Sequence, residues 1–311
     1  MDSQATIFIA GDQGIKERAL VDHLQAEGYS RLLTISSVDL DILNRGAVEN
    51  FFKEYHPEYV ILNSLASPET AMAYQRPAEH FFLNMLSQTH MIDAAYRYGS
   101  KKLLYVADSD VYPRQCPQPM RVEYIATGPL DPLLQVNAVS QIAGISMCQA
   151  YRRQYSFNAV VAVSPSVYGP QKDVESEPYG FLSEMIGILV QAVAEKQKRV
   201  RIVKSPELRR EFLFSGDFAH ACEFLMHQYD EAMPVNIGSG VDLPVHEMVD
   251  MAREICGFEG EVEFDDRNID EDFQRLLEVN PIQMMGWMAK TVLREGLVQL
   301  WESSVKKGLL T

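Results

Sequence analysis

The chain has 311 residues, of which 47% are hydrophobic, and a formal net charge of −15 with a pI of about 4.9. This acidic balance argues against nucleic acids and anionic membranes as partners, because both are bound by basic surfaces. No apolar stretch is long enough for a transmembrane helix and the N-terminal residues lack the pattern of a secretory signal, so we expect a cytoplasmic protein.

Short runs of β-branched and apolar residues alternate with segments of helical period along the first 170 residues. The runs predict five buried strands at 6–10, 32–35, 59–62, 103–106 and 159–163, and the segments between them predict helices at 15–27, 45–55, 78–98 and 136–155. Continuous apolar strands separated by helices are typical of a parallel sheet covered on both faces. We therefore predict an α/β fold with a Rossmann-like, doubly wound core over residues 1–170.

The alternation ends in a polar stretch at 171–178. Beyond it, the sequence predicts helices near 181–195, 218–229, 245–257 and 289–306, with short strands near 200–203 and 261–264. We interpret 171–311 mainly as a smaller C-terminal α/β substrate lobe, with some segments returning to the core. This lobe would lie over the carboxyl ends of the strands, where open α/β sheets bind their ligands.

The cysteines and histidines give no sign of a metal site. The four cysteines are scattered without CxxC spacing, and the seven histidines form neither an HxxxH nor an HxH pattern. We interpret the cysteines as reduced thiols and expect no bound metal.

Short motifs follow one another in an order typical of one enzyme family. Gly11 and Gly14, directly after the first strand, form half of a dinucleotide-binding fingerprint. Further motifs are DVYP at 110–113, IAGI at 142–145, VYGP at 167–170, REFL at 210–213, NIGSGVD at 236–242 and GW at 286–287. Over nearly its whole length the chain resembles the extended short-chain dehydrogenase/reductase (SDR) family, and within it the GDP-L-fucose synthases. These are NADPH-dependent epimerase–reductases acting on a GDP-4-keto-6-deoxy sugar.

The resemblance places unusual residues at the catalytic positions. The family's proton-donating tyrosine and the lysine four residues later correspond to Asn137 and Gln141. Its catalytic serine or threonine corresponds to Asp108, and the epimerisation pair of the synthases corresponds to Asp110 and about Gly180. Amides neither release nor accept a proton near neutral pH, so the resemblance implies a family scaffold without the standard chemistry, that is, a pseudoenzyme.

The cofactor positions are altered only in part. Gly11 and Gly14 are kept, but the third glycine position is Glu17, which otherwise suits the first turn of a helix. Asp41 and Ile42 match the family's acidic–apolar pair that contacts adenine. No arginine for a 2′-phosphate follows the second strand, so the resemblance allows NAD or NADP, favours NAD and requires neither.

The resemblance assigns substrate binding to Arg210 and Arg275. The family's second basic segment corresponds to 268–275, which is acidic here and argues against a GDP-sugar. The ligand is therefore left open as a small molecule or nucleotide.

A dimer is the expected assembly. The segments 78–98 and 136–155 match the helices that pair across a dimer axis in this family, with apolar side chains at Met85, Met91, Ile145 and Met147. We expect a homodimer, and a protein partner from a biosynthetic pathway is a further expectation.

Three functions remain open at this point. The first is a non-catalytic binding or regulatory protein. The second is a repurposed enzyme that uses Asp108 and Asp110 as acid and base, since alternate positions on a strand share one face. The third is an atypical NAD(P)-dependent nucleotide-sugar epimerase/reductase in which Tyr112 or Tyr124 supplies the proton.

Overall fold

The structure is a computed structural model that describes residues 1–11, 14–63, 76–170, 180–265 and 273–306. In chain order its strands are β1 (Ile7–Ala10), β2 (Leu32–Thr34), β3 (Tyr59–Leu62), β4 (Lys102–Asp108), β5 (Ala159–Ser164), β6 (Ser166–Tyr168), β7 (Arg199–Ile202), β8 (Arg209–Phe214), β9 (Val235–Asn236), β10 (Asp242–Pro244), β11 (Glu261–Phe264) and β12 (Gln274–Arg275).

The α-helices are α1 (Ile15–Ala26), α2 (Arg45–Tyr55), α3 (Pro77–Arg97), α4 (Gln135–Tyr155), α5 (Gly180–Ala194), α6 (Ser215–Gln228), α7 (Val245–Cys256), α8 (Asn280–Met284) and α9 (Leu293–Lys306). Within the described ranges, no helix combines the length and the apolar character needed to cross a bilayer.

The larger sheet has six parallel strands in the order β2-β1-β3-β4-β5-β9. Strands β1 and β5 are buried along their whole length, because helices cover both faces of the sheet. Helix α1 packs against α6, while α2, α3 and α4 form the other layer. The predicted doubly wound, Rossmann-like sheet is thus confirmed.

The smaller lobe is built around its own core. Strand β8 pairs with β6, β10 and β12, and β7 pairs with β11. Helices α5, α7 and α9 pack on one another around a second cluster of buried apolar residues. Residues of α6, β9 and α8 belong instead to the core of the large sheet. Beyond residue 170 the chain therefore contributes to both cores.

Helix α4 lies very close to the sheet at one glycine. A Cβ atom at Gly144 would lie 2.4 Å from the Tyr105 ring and 2.6 Å from Oε1 of Gln88. These two side chains are themselves joined, since the Tyr105 hydroxyl donates to Gln88 over 2.8 Å. The close approach fixes the amino-terminal half of α4, and hence Asn137 and Gln141, against the end of β4.

Two residues predicted to lie on a dimer face are buried inside the protomer. Met91 is fully buried and Ile145 is 3% exposed, and both belong to the core of the large sheet. The large apolar side chains that α3 and α4 leave exposed are Phe82, Val139 and Tyr155. A helical stripe of apolar residues does not by itself distinguish a face that packs on the sheet from one that meets a partner.

Candidate functional site

A cavity of about 410 Å³ lies between the carboxyl ends of β4 and β6 and the smaller lobe. Charged side chains of both signs line it, namely Lys16, Asp108, Asp110, Asp131, Glu184, Lys204, Arg210, Glu211 and Arg275. The predicted residues Asp108, Asp110, Arg210 and Arg275 are thus brought to one place. Its position agrees with the general rule that ligands of open α/β sheets bind at the carboxyl edge.

Asp108 at the end of β4 is held from two sides. Nε2 of Gln141 donates to Oδ2 of Asp108 over 2.7 Å, and the Asp108 backbone N–H donates to Oε1 of Gln141 over 2.7 Å. The Lys16 ammonium forms an ion pair with the other carboxylate oxygen. Both carboxylate oxygens therefore have partners within the chain.

Lys16 was not identified from the sequence. It lies in the first turn of α1, is 8% exposed and extends across the sheet edge to Asp108, with its ammonium 5.8 Å from the centre of the Phe218 ring. A lysine in a helical turn is ordinarily solvated, so its residue type gave no signal. Only its position inside the dinucleotide fingerprint, directly before Glu17, could have indicated that it lies near the site.

Asn137 is the residue that the resemblance assigns to the position of the family's tyrosine. It is 2% exposed, and among the described contacts neither its Oδ1 nor its Nδ2 has a hydrogen-bond partner. It does not line the cavity. An amide has no proton to deliver near neutral pH, so this side chain cannot replace a tyrosine as an acid.

Asp110 is the second carboxylate of the cavity. Oδ1 of Asp110 lies 3.8 Å from Nη2 of Arg275, which also donates to the carbonyl of Ser109. Desolvation raises the pKa of Asp110 against the opposing charge of Arg275, and with a smaller contribution from the nearby Asp108 the pKa reaches about 6. Asp108 and Asp110 do not occupy alternating positions of one strand, as was predicted, because β4 ends at Asp108 and Asp110 lies on the 3₁₀ turn Ser109–Val111.

Arg210 and Glu211 bring β8 to the cavity wall. Nη1 of Arg210 donates to the carbonyl of Arg209 over 2.8 Å. Glu211 accepts from the backbone N–H groups of Leu277 and Gly240, at 2.8 and 2.7 Å, and from the Ser239 hydroxyl. Burial raises the pKa of Glu211 to about 7, against these donors. Glu211 thus joins β8 to the segments at 239–240 and 277, and no pattern in the sequence indicated this role.

Neither tyrosine considered as a substitute proton donor lines the cavity. Tyr112 is fully buried, and its hydroxyl donates to Oδ1 of Asn236. These contacts give Tyr112 a structural role in the core. Asn236 in turn donates to the carbonyls of Met120 and Glu278. Tyr168 does border the cavity, but its hydroxyl donates to the Leu293 carbonyl at 3.4 Å, on the side of α9.

The dinucleotide fingerprint lies where β1 and β3 are neighbours and the strand order reverses, which is the crevice for nucleotides in such sheets. Among the described residues, Glu17 and Asn63 lie close to Gly11: a Cβ atom there would lie 3.2 Å from Oε2 of Glu17 and 3.6 Å from Nδ2 of Asn63. Glu17 is 4% exposed, so its carboxyl group is turned inward. A carboxyl group this close to Gly11 does not fit a pyrophosphate bound to the Gly11 backbone.

The other predicted cofactor residues have local structural roles. Gly14 is the N-cap of α1. Oδ1 of Asp41 accepts from the Leu43 backbone N–H over 3.1 Å, and the Ile42 carbonyl lies 3.1 Å from Nδ1 of His90. Asp41 is exposed, and neither it nor Ile42 borders the large cavity. The contact with Leu43 gives Asp41 a structural role in the turn that does not depend on a ligand.

The acidic segment at 268–272 lies outside the described residues. In the parts of the chain that are described, no three histidine, cysteine or carboxylate side chains are grouped so that they could hold a metal ion.

Comparison with known sequences gives a consistent relationship. Residues 7–238 match the profile of the NAD dependent epimerase/dehydratase family. The chain is 33% identical over 305 residues to GDP-L-fucose synthase 1 of Arabidopsis thaliana, covering 98% of this chain and 94% of that protein. It is 27% identical to the GDP-L-fucose synthase of Escherichia coli K12, covering 96% of each.

Comparison with solved structures agrees. A GDP-mannoheptose C4 reductase from Campylobacter jejuni with NADP bound superimposes with a TM-score of 0.88 at 29% identity, covering 98% of this chain and 99% of the other. A GDP-D-glycero-L-gluco-heptose synthase from the same organism, determined in the presence of NADPH, superimposes with a TM-score of 0.89 at 26% identity over 98% and 99%.

Proposed function

Because the chain belongs to the NAD dependent epimerase/dehydratase family, we propose that it binds a nucleotide sugar in the interlobe cavity without transferring hydride to it. The observation that carries the proposal is the closed contact of Lys16, Asp108 and Gln141. The resemblance assigns Asp108 and Gln141 to the positions of the family's serine and lysine, and it assigns the buried amide Asn137 to that of the tyrosine. The chain then serves as a binding or regulatory member of its family.

The ligand class is supported by the cavity and by the relatives. Arg210 and Arg275 come from two neighbouring strands, β8 and β12, and both line the cavity. Planar guanidinium groups bind phosphate oxygens in pairs, so they suit the diphosphate of a nucleotide sugar. The related proteins are named for GDP-sugars, which makes GDP the first nucleotide to test.

Binding is tested by calorimetric titration of the full chain with GDP and with GDP-L-fucose. We expect saturable binding that Arg275→Ala weakens about tenfold or more, since one charge-assisted contact is lost. Arg199→Ala is the matched control, because Arg199 is an exposed arginine on β7 whose ion pairs lie outside the cavity. Absence of binding, or equal weakening by both variants, contradicts the proposed ligand.

The loss of hydride transfer is tested separately. NADPH absorbance is followed with a GDP-4-keto-6-deoxy sugar, using the Escherichia coli synthase as positive control. We expect no oxidation above the rate without protein. Oxidation that depends on the chain would overturn this half of the proposal even if the nucleotide sugar binds.

A second function is favoured by the environment of Asp110. Its carboxyl lines the cavity and its pKa is raised to about 6, so near neutral pH it can exchange a proton with a ligand. An epimerisation or elimination without net redox change would need no dinucleotide. Deuterium incorporation from D₂O next to the carbonyl of a GDP-4-keto-6-deoxy sugar, measured by NMR and abolished by Asp110→Asn, is the result that would favour it.

We also propose that the chain forms a homodimer through α3 and α4. Phe82 is 62% exposed and Val139 is 39% exposed on these helices, and exposed apolar residues at neighbouring helix faces suit a helical interface. Light scattering of wild type and Phe82→Glu tests this. A monomeric wild type contradicts it, and dissociation by the substitution supports it.

A further inference from the structure

The crevice between β1 and β3 is occupied by side chains of the chain itself. Glu17 extends from the first turn of α1 over Gly11, with Oε2 3.2 Å and Cβ 3.3 Å from the place of a Cβ there. Asn63, directly after β3, approaches the same place to 3.6 Å. Both side chains are nearly inaccessible to solvent, with exposures of 4% and 2%.

Lys16, the neighbour of Glu17, closes the same crevice on the side of the cavity. Its ammonium passes from α1 to Asp108 at the end of β4, although β3 lies between β1 and β4 in the sheet. Gln141 holds Asp108 from the opposite side by two hydrogen bonds. The contact therefore spans the carboxyl end of β3, above the buried Asn63.

We infer that the side chains of Lys16 and Glu17 take the place that a dinucleotide would occupy in this fold. An ammonium bound to Asp108 and a carboxylate over Gly11 fill the crevice that leads to the cavity. A pyrophosphate there would face the like charge of Glu17 and would have no close approach to the Gly11 backbone.

The inference goes beyond the proposed function, because it concerns the crevice and not the cavity. It holds whether or not a GDP-sugar binds, and its measurement is separate. Affinity for NADPH is determined by calorimetry and by the fluorescence of the reduced nicotinamide, with no substrate present. Failure of GDP binding therefore leaves this result unaffected.

Wild type is expected to bind NADPH weakly, at millimolar concentration or not at all. The variant with Glu17→Gly, Lys16→Val and Asp108→Ser removes the bulk and both charges without leaving one partner of the ion pair behind. We expect it to bind NADPH at least about tenfold more tightly than wild type. The matched control is Lys53→Val with Glu54→Gly, an exposed neighbouring pair of the same residue types on α2, which should leave the affinity unchanged.

A milder variant covers the case in which the triple substitution does not fold. Glu17→Gln keeps the shape and removes the charge, and we expect a smaller but measurable gain in NADPH affinity over wild type. Tight binding of NADPH by wild type overturns the inference. So does the failure of every folded variant at positions 16 and 17 to gain affinity, or an equal gain in the α2 control.

Discussion

Gln141 and Asp108 hold each other by two hydrogen bonds of 2.7 Å, one from side chain to side chain and one from the Asp108 backbone to the Gln141 carbonyl oxygen. The resemblance assigns them to the positions of the family's lysine and serine. The amide satisfies the carboxylate and the last N–H of β4 at once, so the pair stabilises the end of the strand.

Gln141→Ala should lower the free energy of unfolding by about 2 kcal/mol, because the Asp108 N–H loses its partner in a nearly buried place. Gln149→Ala is the control, since Gln149 is exposed on the same helix and should change stability by no more than about 0.5 kcal/mol. Urea denaturation followed by circular dichroism measures both. Equal effects would mean that the Gln141 contact contributes nothing of its own.

Asn137→Leu should raise the free energy of unfolding by about 1–2 kcal/mol, because an unpartnered buried amide is replaced by an apolar side chain of similar size. Asn236→Leu should have the opposite sign and cost about 3 kcal/mol, since that amide bonds Tyr112, Met120 and Glu278. Thermal and urea unfolding of the two variants measure both changes in the free energy of unfolding. Destabilisation by Asn137→Leu would show that the amide has a partner in solution.

Gly144→Ala should destabilise the protein by about 3 kcal/mol, because the added methyl meets the Tyr105 ring and Gln88 at less than contact distance. Gly187 gives a matched control in the middle of α5, where a Cβ meets nothing within 4 Å. Gly187→Ala should stabilise by up to about 1 kcal/mol through helix propensity. If both substitutions stabilise, α4 is not packed as closely as the structure shows.

Relative to the Asp110→Asn variant, the wild type should lose free energy of unfolding as the pH rises from about 4 to 7. The folded-state pKa of Asp110 is raised to about 6, so between these pH values the folded protein binds more protons than the unfolded chain. The stability that Asp110 contributes is fully present below its pKa in the unfolded chain and is lost as the pH rises through its pKa in the folded protein. Its upper limit is about 3 kcal/mol.

Urea titrations at several pH values measure this difference. Asp250→Asn, at an exposed carboxylate on α7, is the control and should follow the wild type at every pH. A difference between wild type and Asp110→Asn that does not vary with pH would show that Asp110 keeps its ordinary pKa in the folded state.

Much of the fold could be predicted from the sequence. The five strands of the predicted core occur within one or two residues of their expected places, because buried parallel strands leave continuous apolar runs. Strands β6, β10 and β12 of the small lobe have only two or three residues each, so they left a weaker pattern. Met91 and Ile145, which were expected on a dimer face, contribute to the core instead, since the same helical pattern of apolar residues serves both purposes.

The sequence by itself determined the family and placed amides at 137 and 141, because side-chain chemistry does not depend on position in space. An amide does not transfer a proton near neutral pH in any conformation. Only the tertiary structure decided what these residues contact instead. Lys16 and Asp108 are 92 positions apart and lie on elements separated by β3. Their pairing depends on strand order and on the direction of α1, which no local pattern records.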